Sequence, residues 1–426
     1  MAGSIGAIVI TLLIGILALL HNKDFRQYVL QIAQTKLTEA VGIDFRMRDF
    51  SVHWSGLSPS VDMFDVVIDG APPYQAPPVL HVDHLSVGVQ IVSLLSRKWY
   101  LKDIQIDHPV ARVFVAENGD TNLPKLKSNG QSTSIFDLGI RHVMLGQGEV
   151  YYNDHKSALD ADLHDLEFQS SFDAGPKQYA GGLKYKDGRI HYQNLNPVVH
   201  SLDAEFEATP TTFTVKRSTI TSGASQINLT ATMNDYVHPK ATAAYQSSVD
   251  MGELRQILKD GTLPVGVVKL AGSAGFESDP RKPVIQSVTL EGNVTSNALQ
   301  IHTATIHTQV RDISARYTLK NADAEVRDLR AHALGGGVEG GLRMHDVGGT
   351  QVAELHAAVH DIALVSLQAL MNPQAMRDLK LTGTAGGKID ANWKKSLDTL
   401  VAHADADFKG SVLKATTPAA AQPPLL

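Results

Sequence analysis

The chain has no cysteine in its 426 residues. That excludes a disulfide framework, a thiolate metal site and a cysteine nucleophile, and it leaves the compartment open, because a cysteine-free chain suits the cytoplasm as well as an envelope space. Aromatic residues make up only 6%, and the net charge of -6 is spread without a basic block. A groove with stacking platforms is therefore not expected, nor is nucleic acid as a partner. No Gly-x-Ser-x-Gly elbow and no His-Glu-x-x-His helix occurs, so two common hydrolase signatures are missing. What is present is apolar: 43% of residues are hydrophobic, enough for a core and too many for general disorder.

The chain also repeats itself. Lys269-Leu270-Ala271-Gly272-Ser273-Ala274-Gly275 returns 111 residues later as Lys380-Leu381-Thr382-Gly383-Thr384-Ala385-Gly386. The same offset carries Met233 onto Met344, Asp235 onto Asp346 and Asp250 onto Asp361 without a gap. Stacked units of this kind make one continuous surface more readily than a compact catalytic pocket. The second copy stops early and runs into a Pro/Ala-rich tail at 416–426, so the expectation is a fragment of a longer array, the alternative being an array that ends in an uncapped sheet edge.

One long uncharged run stands at residues 3–20, including Ile5, Ile8, Val9, Leu12, Leu13, Ile16, Leu19 and Leu20. As a helix it measures about 27 Å, close to the roughly 30 Å hydrocarbon layer. It reads as a signal anchor rather than a cleaved signal peptide, since no small-x-small site follows Leu20. Charge does not orient it, because Lys23 and Arg26 follow and no basic residue precedes it. Next, Phe25, Tyr28, Val29, Ile32, Leu37, Ala40 and Val41 recur at helical spacing between Asp24 as N-cap and Gly42 as stop. This amphipathic helix has an apolar face to place on the following sheet or on a membrane surface.

Beyond Gly42 the period changes from 3.6 to 2. Ile227, Leu229, Ala231 and Met233 alternate with polar neighbours, as do Ile313, Ala315, Tyr317 and Leu319, and Val288, Leu290 and Val294. Glu117-Asn118-Gly119-Asp120 and Lys186-Asp187-Gly188 read as turns at hairpin distance. The expected fold is mainly β: a long antiparallel, curled, repeat-built sheet forming an open groove, with a transmembrane helix, one amphipathic helix and a few short helices. Helices at 251–259 and 362–371 are too few to cover its apolar face. The expected organisation is an anchor at 3–20, an amphipathic helix at 21–42, a β domain at 43–220, repeat units at 221–331 and 332–415, and the tail.

Polar clusters point to no chemistry. Asp160, Asp162 and His164 share one strand face, opposite Leu159, Ala161 and Leu163, and read as the wet side of an amphipathic strand. His81 and His84 fall three apart, on opposite faces of a strand, and His302 is separated from His307 in the same way. Gly335-Gly336-Gly337 lacks the Gly-Lys-Ser/Thr ending of a phosphate loop and reads as a bend or bulge. No catalytic residue, metal ligand or cofactor is assigned, and enzyme is the least supported class.

The opening Ser51-Val52-His53-Trp54-Ser55-Gly56-Leu57-Ser58-Pro59 with Val61 to Ile68 resembles the start of AsmA-like envelope proteins, a family that includes TamB. The likeness runs on through Leu85-Ser86-Val87, Ser93-Leu94-Leu95, a strand ending in Pro109, Gly119-Asp120-Thr121-Asn122-Leu123, Gly148 to Asp154, and Val249 to Leu254. It implies a bacterial inner-membrane protein anchored once, its bulk in the periplasm, whose curled sheet forms an apolar groove. It further implies phospholipid transport between membranes and outer-membrane biogenesis, as in the bridge-like lipid-transfer proteins to which the family is similar. The period-2 pattern agrees, because an uncovered apolar trough in an envelope is suited to acyl chains, bound by area rather than by any single residue. The candidate groove lining is Val113, Val115, Ile227, Leu229, Met233, Val288, Leu290, Ile313, Tyr317 and Leu319. Expected partners are a phospholipid or other acyl lipid, the inner membrane and an outer-membrane protein. A second expectation is an assembly factor or scaffold that binds client outer-membrane proteins by β-strand addition.

Overall fold

The computed structural model describes residues 45–55, 58–89, 101–124, 135–302, 307–370 and 379–414, together with Gln27, Gln31 and Thr35. The expected anchor lies outside them, as does most of the expected amphipathic helix. Gln27, Gln31 and Thr35 are helical and exposed, and Thr35 Oγ1 donates to the Gln31 carbonyl at 2.8 Å. Among the described residues no helix is long and apolar enough to cross a membrane.

Alternating hydrophobicity produces strands throughout, and they fall into two units, Met1–Pro210 and Thr211–Leu426. The first holds β1 (Phe45–Arg46), β2 (Asp49–Ser55), β3 (Ser58–Ile68), β4 (Leu80–Val89), β5 (Leu101–Val115), β6 (His142–Asp154), β7 (Leu159–Asp173), β8 (Gln178–Tyr192) and β9 (Val198–Ala208), with the short helix α1 (Ile135–Leu138). Neighbours pair antiparallel along the chain, and β1 adds to β3. The exception is β5 with β6, which run parallel, Ile104 opposite Val143 and Val113 opposite Tyr152. The expectation of antiparallel pairing throughout is corrected here. The turn at Glu117–Asp120 forms, with Gly119 at φ 88°, and closes a short antiparallel return in which Thr121 bridges to Val115, ahead of the parallel strand β6.

The second unit holds β10 (Thr212–Ser222), β11 (Ser225–Asn234), β12 (Lys240–Asp250), β13 (Val265–Glu277), β14 (Val288–His302), β15 (His307–Lys320), β16 (Asp323–Ala333), β17 (Gly336–His345), β18 (Val352–Ala363), β19 (Leu379–Lys394) and β20 (Ser396–Lys414). All pair antiparallel in chain order. Its helices are α2 (Met251–Leu258), α3 (Val284–Ser287) and α4 (Leu364–Leu370). The repeat is a repeat of strands: β10 and β11 begin and end 111 residues before β16 and β17. The division after Pro210 precedes β10, which the expected boundary at 220/221 cuts, while that at 331/332 falls inside β16. The copies differ at their helices. Asp250 caps α2 by accepting from the Glu253 N–H at 3.0 Å, whereas Asp361 takes φ 54° and the chain stays extended through Ala363 before α4.

Three local expectations are overturned where a residue inside a strand turns left-handed. Lys186-Asp187-Gly188 is no turn but the middle of β8, where Asp187 at φ 53° makes a bulge and the register shifts between Tyr185 and Gly188. An Asp-Gly pair with a left-handed residue satisfies either device, and only the neighbouring strand decides between them. Pro109 does not end its strand, because β5 continues to Val115, with His108 at φ 49° and the β6 register skipping Pro109. Asp65, at φ 57°, interrupts the β3–β4 ladder between the Phe64–His84 and Val66–Val82 pairs without shifting its register. Val82 and Leu85 therefore pack on the same core despite being three apart, and His81 and His84 both turn from it. That core is Met47, Phe50, Val66 and Val82. His302 and His307 are also brought together, paired across the β14–β15 hairpin with ring centroids 5.6 Å apart. The Gly335 region does make the expected bend: Leu334 and Gly335, at φ 53° and 84°, form a two-residue turn into β17.

Candidate functional site

Residues paired across antiparallel strands point to the same face, so the ladders of the second unit can be read as rows. One row runs Val215, Ala231, Ala243, Ala274, Leu290, Leu319, Ala324, Met344, Ala353, Trp393. The next runs Leu229, Tyr245, Gly272, Gly292, Tyr317, Val326, Leu342, Leu355, Ala391. Two residues away on the other side, Phe213, Met233, Ala241, Phe276 and Val288 align. All eight candidate lining residues of this unit thus share one face: Ile227 pairs with Ser247, and Ile313 with Ser296, in register with the rest. The intervening positions carry Asn228, Gln246, Lys269, Asn293 and Arg316, with exposed cross-strand pairs such as Lys240–Glu277 at 2.6 Å and Arg343–Glu325 at 2.9 Å. Exposed pairs of that kind add little stability.

The apolar face is not covered within the unit. Its buried hydrophobic side chains, among the described residues, are Ala315, Ala322, Ala331, Ala353, Ile362, Leu364, Ala385 and Ala391. Only two are larger than alanine: Ile362 of β18 and Leu364, the first residue of α4, which form a small cluster with Ala385. Leu290, Leu319, Tyr317, Met233, Val288 and Leu229 remain half-buried, and Ile227 is 40% exposed. Apolar side chains of this size normally disappear under a second layer. Here α2 packs on β12 and β13, and α4 on β18 and β19. Val113 and Val115 lie half-buried in the first unit, opposite Tyr152 and Asp154 of β6.

Polar atoms interrupt both apolar faces. In the second unit the hydroxyls of Tyr245 and Tyr317 hydrogen-bond across the two intervening strands. They meet over Gly272 and Gly292, the residues between them in their row. Burial, then the bond to Tyr245, pushes the Tyr317 hydroxyl well above its ordinary range. In the first unit Tyr185 Oη lies 2.9 Å from Nδ1 of buried His200, whose Nε2 has no partner among the described residues. Burial pushes that imidazole down. Neither pair was visible in the sequence: β12 alternates Ala241, Ala243, Tyr245 and Ser247, too weak an apolar signal, and its partner is 72 residues away.

A depression of about 590 Å³ in the first unit is lined by Lys102, Gln105, His142 and Gln169 together with apolar Ile104, Val143 and Met144. Beside it a chain of charges crosses four strands, β2 to β5. His53 Nδ1 is 2.5 Å from Asp62, His84 Nε2 is 3.3 Å from Asp62, and His84 Nδ1 is 2.8 Å from Asp107. The Asp107 hydrogen bond raises the His84 pKa against the effect of burial, with Asp62 adding to it. Asp62 and Asp107 are both lowered: burial would raise them, and hydrogen bonds from Ser86, His53 and His84 to the first, and from His84 and Gln105 to the second, outweigh it. Asp160, Asp162 and His164 do not converge. Asp160 bonds Asn153, and His164 packs edge-on to Tyr151. Among the described residues no group of three or more such side chains is arranged to hold a metal ion. No protein family, curated protein or solved structure matches the chain.

Proposed function

We propose that this protein is an AsmA-like envelope protein whose apolar sheet face holds or conducts acyl lipid, serving phospholipid transport between membranes and outer-membrane biogenesis. In this reading residues 3–20 anchor it once in a bacterial inner membrane, the bulk is periplasmic, and the sheet curls around its apolar side into a groove. One observation carries the proposal: rows of Leu, Val, Met, Phe and Tyr side chains cross the second unit on one face and remain half-buried. Acyl chains are the natural cover, at about 0.8 kcal/mol per methylene removed from water. No single side chain need be decisive, which suits a surface built by repetition.

The test is extraction of the full chain in mild detergent followed by lipid analysis, with a photoreactive residue placed at Leu290 or Leu319. Acyl lipid should co-purify and crosslink there. Protein free of lipid, with Leu290 crosslinking only to protein, would overturn the proposal. One observation favours a second reading, binding of an outer-membrane protein by strand addition: β20 runs for 19 residues and, among the described residues, pairs with β19 alone. Crosslinks from β20 to a β-barrel protein, without acyl adducts on the apolar face, would favour it.

A further inference from the structure

The Tyr245–Tyr317 pair has a property that the surrounding apolar rows lack. Two phenol hydroxyls carry two donors, and the bond between them uses one. The other finds no acceptor among the described residues. Glycine beneath the pair is a requirement of its geometry. A Cβ on Gly292 would stand 2.7 Å from the Tyr317 hydroxyl oxygen, so only a bare backbone lets the rings lie inward and meet. The pair is thus built into the sheet, and it leaves one hydrogen-bond donor in the middle of an apolar face.

The neighbours select what that donor suits. Ala274 and Leu290 flank the pair in one adjacent row, Leu270 and Val294 in the other, and Ser247 is the polar side chain nearest on β12. A carboxylate or phosphate here would sit among alkyl groups with no cation to balance it, at a large desolvation cost. A neutral acceptor embedded in hydrocarbon costs far less and gains the hydrogen bond. We infer that Tyr245 and Tyr317 form a subsite for the ester carbonyl of an acyl lipid, so that the face registers its lipid at the glycerol-ester level. This rests on the lipid-binding reading above and adds the chemical class of the bound lipid. The raised Tyr317 pKa keeps the phenol protonated, and therefore a donor, across physiological pH.

The test uses the full chain and three monomeric probes below their micellar concentrations: a short-chain diester phosphatidylcholine, its dialkyl-ether counterpart of equal chain length, and a fatty acid of matching length. Affinity is read by displacement of a fluorescent apolar probe. The wild type should bind the diester about fivefold more tightly than the diether, the worth of one hydrogen bond. Either single variant, Tyr245→Phe or Tyr317→Phe, keeps one free hydroxyl and should keep the preference. The double variant should lose it while its affinity for the diether is unchanged. Equal binding of diester and diether by the wild type overturns the subsite and leaves the lipid reading intact. Hydroxyl-dependent preference for the fatty acid over the diester overturns the neutral-acceptor assignment. Failure of all three to bind overturns the lipid reading and the subsite with it. Because the wild-type comparison needs no variant, misfolding of the double variant would not protect the inference.

Discussion

At the scale of single residues, Asn122 does what no hydrophobic side chain could. It is only 3% exposed, its Oδ1 accepts from the Phe114 N–H at 2.8 Å, and its Nδ2 donates to the Arg112 carbonyl at 2.9 Å. The loop after β5 is thereby tied to the strand. Asn122→Ala would leave both backbone groups unpaired in a buried place, and we expect it to cost about 2–3 kcal/mol, read as a lower urea midpoint of unfolding. His84 sets a pH dependence. Its folded pKa is raised, so its stabilising contribution is fully present below the ordinary histidine value of about 6.5 and fades as pH rises through the raised value. Asp62 and Asp107 are lowered, so theirs is present above the ordinary carboxylate value and is lost as pH falls through the lowered ones. The cluster therefore stabilises most between about pH 4 and 6.5. Thermal unfolding of the wild type should fall more steeply from about pH 6 to 8.5 than that of His84→Gln, and identical slopes would refute the assignment.

At the scale of elements, small residues decide how closely strands and side chains approach. Ala353 has no exposed surface and sits in its row between Met344 and Trp393. Ala353→Leu should overpack the row and cost about 1–3 kcal/mol, measured as a fall in melting temperature. The edge strand behaves oppositely. Val401 of β20 is 65% exposed, so Val401→Lys should change stability by no more than about 0.5 kcal/mol. It should nonetheless reduce concentration-dependent association in sedimentation, because a charge on a strand that, among the described residues, pairs on one side only disfavours strand addition. The strands themselves were legible: the period-2 runs around Ile227, Val288 and Ile313 all became strands, and the helix after Asp250 formed where a capping aspartate predicts it. The left-handed residues Asp65, His108 and Asp187 inside strands were not. Each is a single residue turned left-handed, and an aspartate or histidine can take that conformation in a turn, a bulge or a cap equally well.

At the scale of the whole molecule, the larger hydrophobic side chains of the second unit's rows lie half-buried on one sheet face, and its buried ones among the described residues are mostly alanine. A native protein of this kind should bind an environment-sensitive apolar dye without denaturant, and short-chain phospholipid should displace it. Dye binding that appears only on unfolding would mean that the faces are covered after all. Alternation along the chain determined that the protein is mainly β and which candidate lining side chains of the second unit share a face, because a strand's side-chain period is a local property. The sequence repeat at 111 residues reappears in the strands β10–β11 and β16–β17. Tertiary structure alone decided the parallel pairing of β5 with β6, the face switch at left-handed Asp65 and the meeting of Tyr245 with Tyr317 over Gly272 and Gly292. Those depend on which strand lies alongside, and the register between strands distant in sequence is set by packing and backbone hydrogen bonding that no single segment encodes.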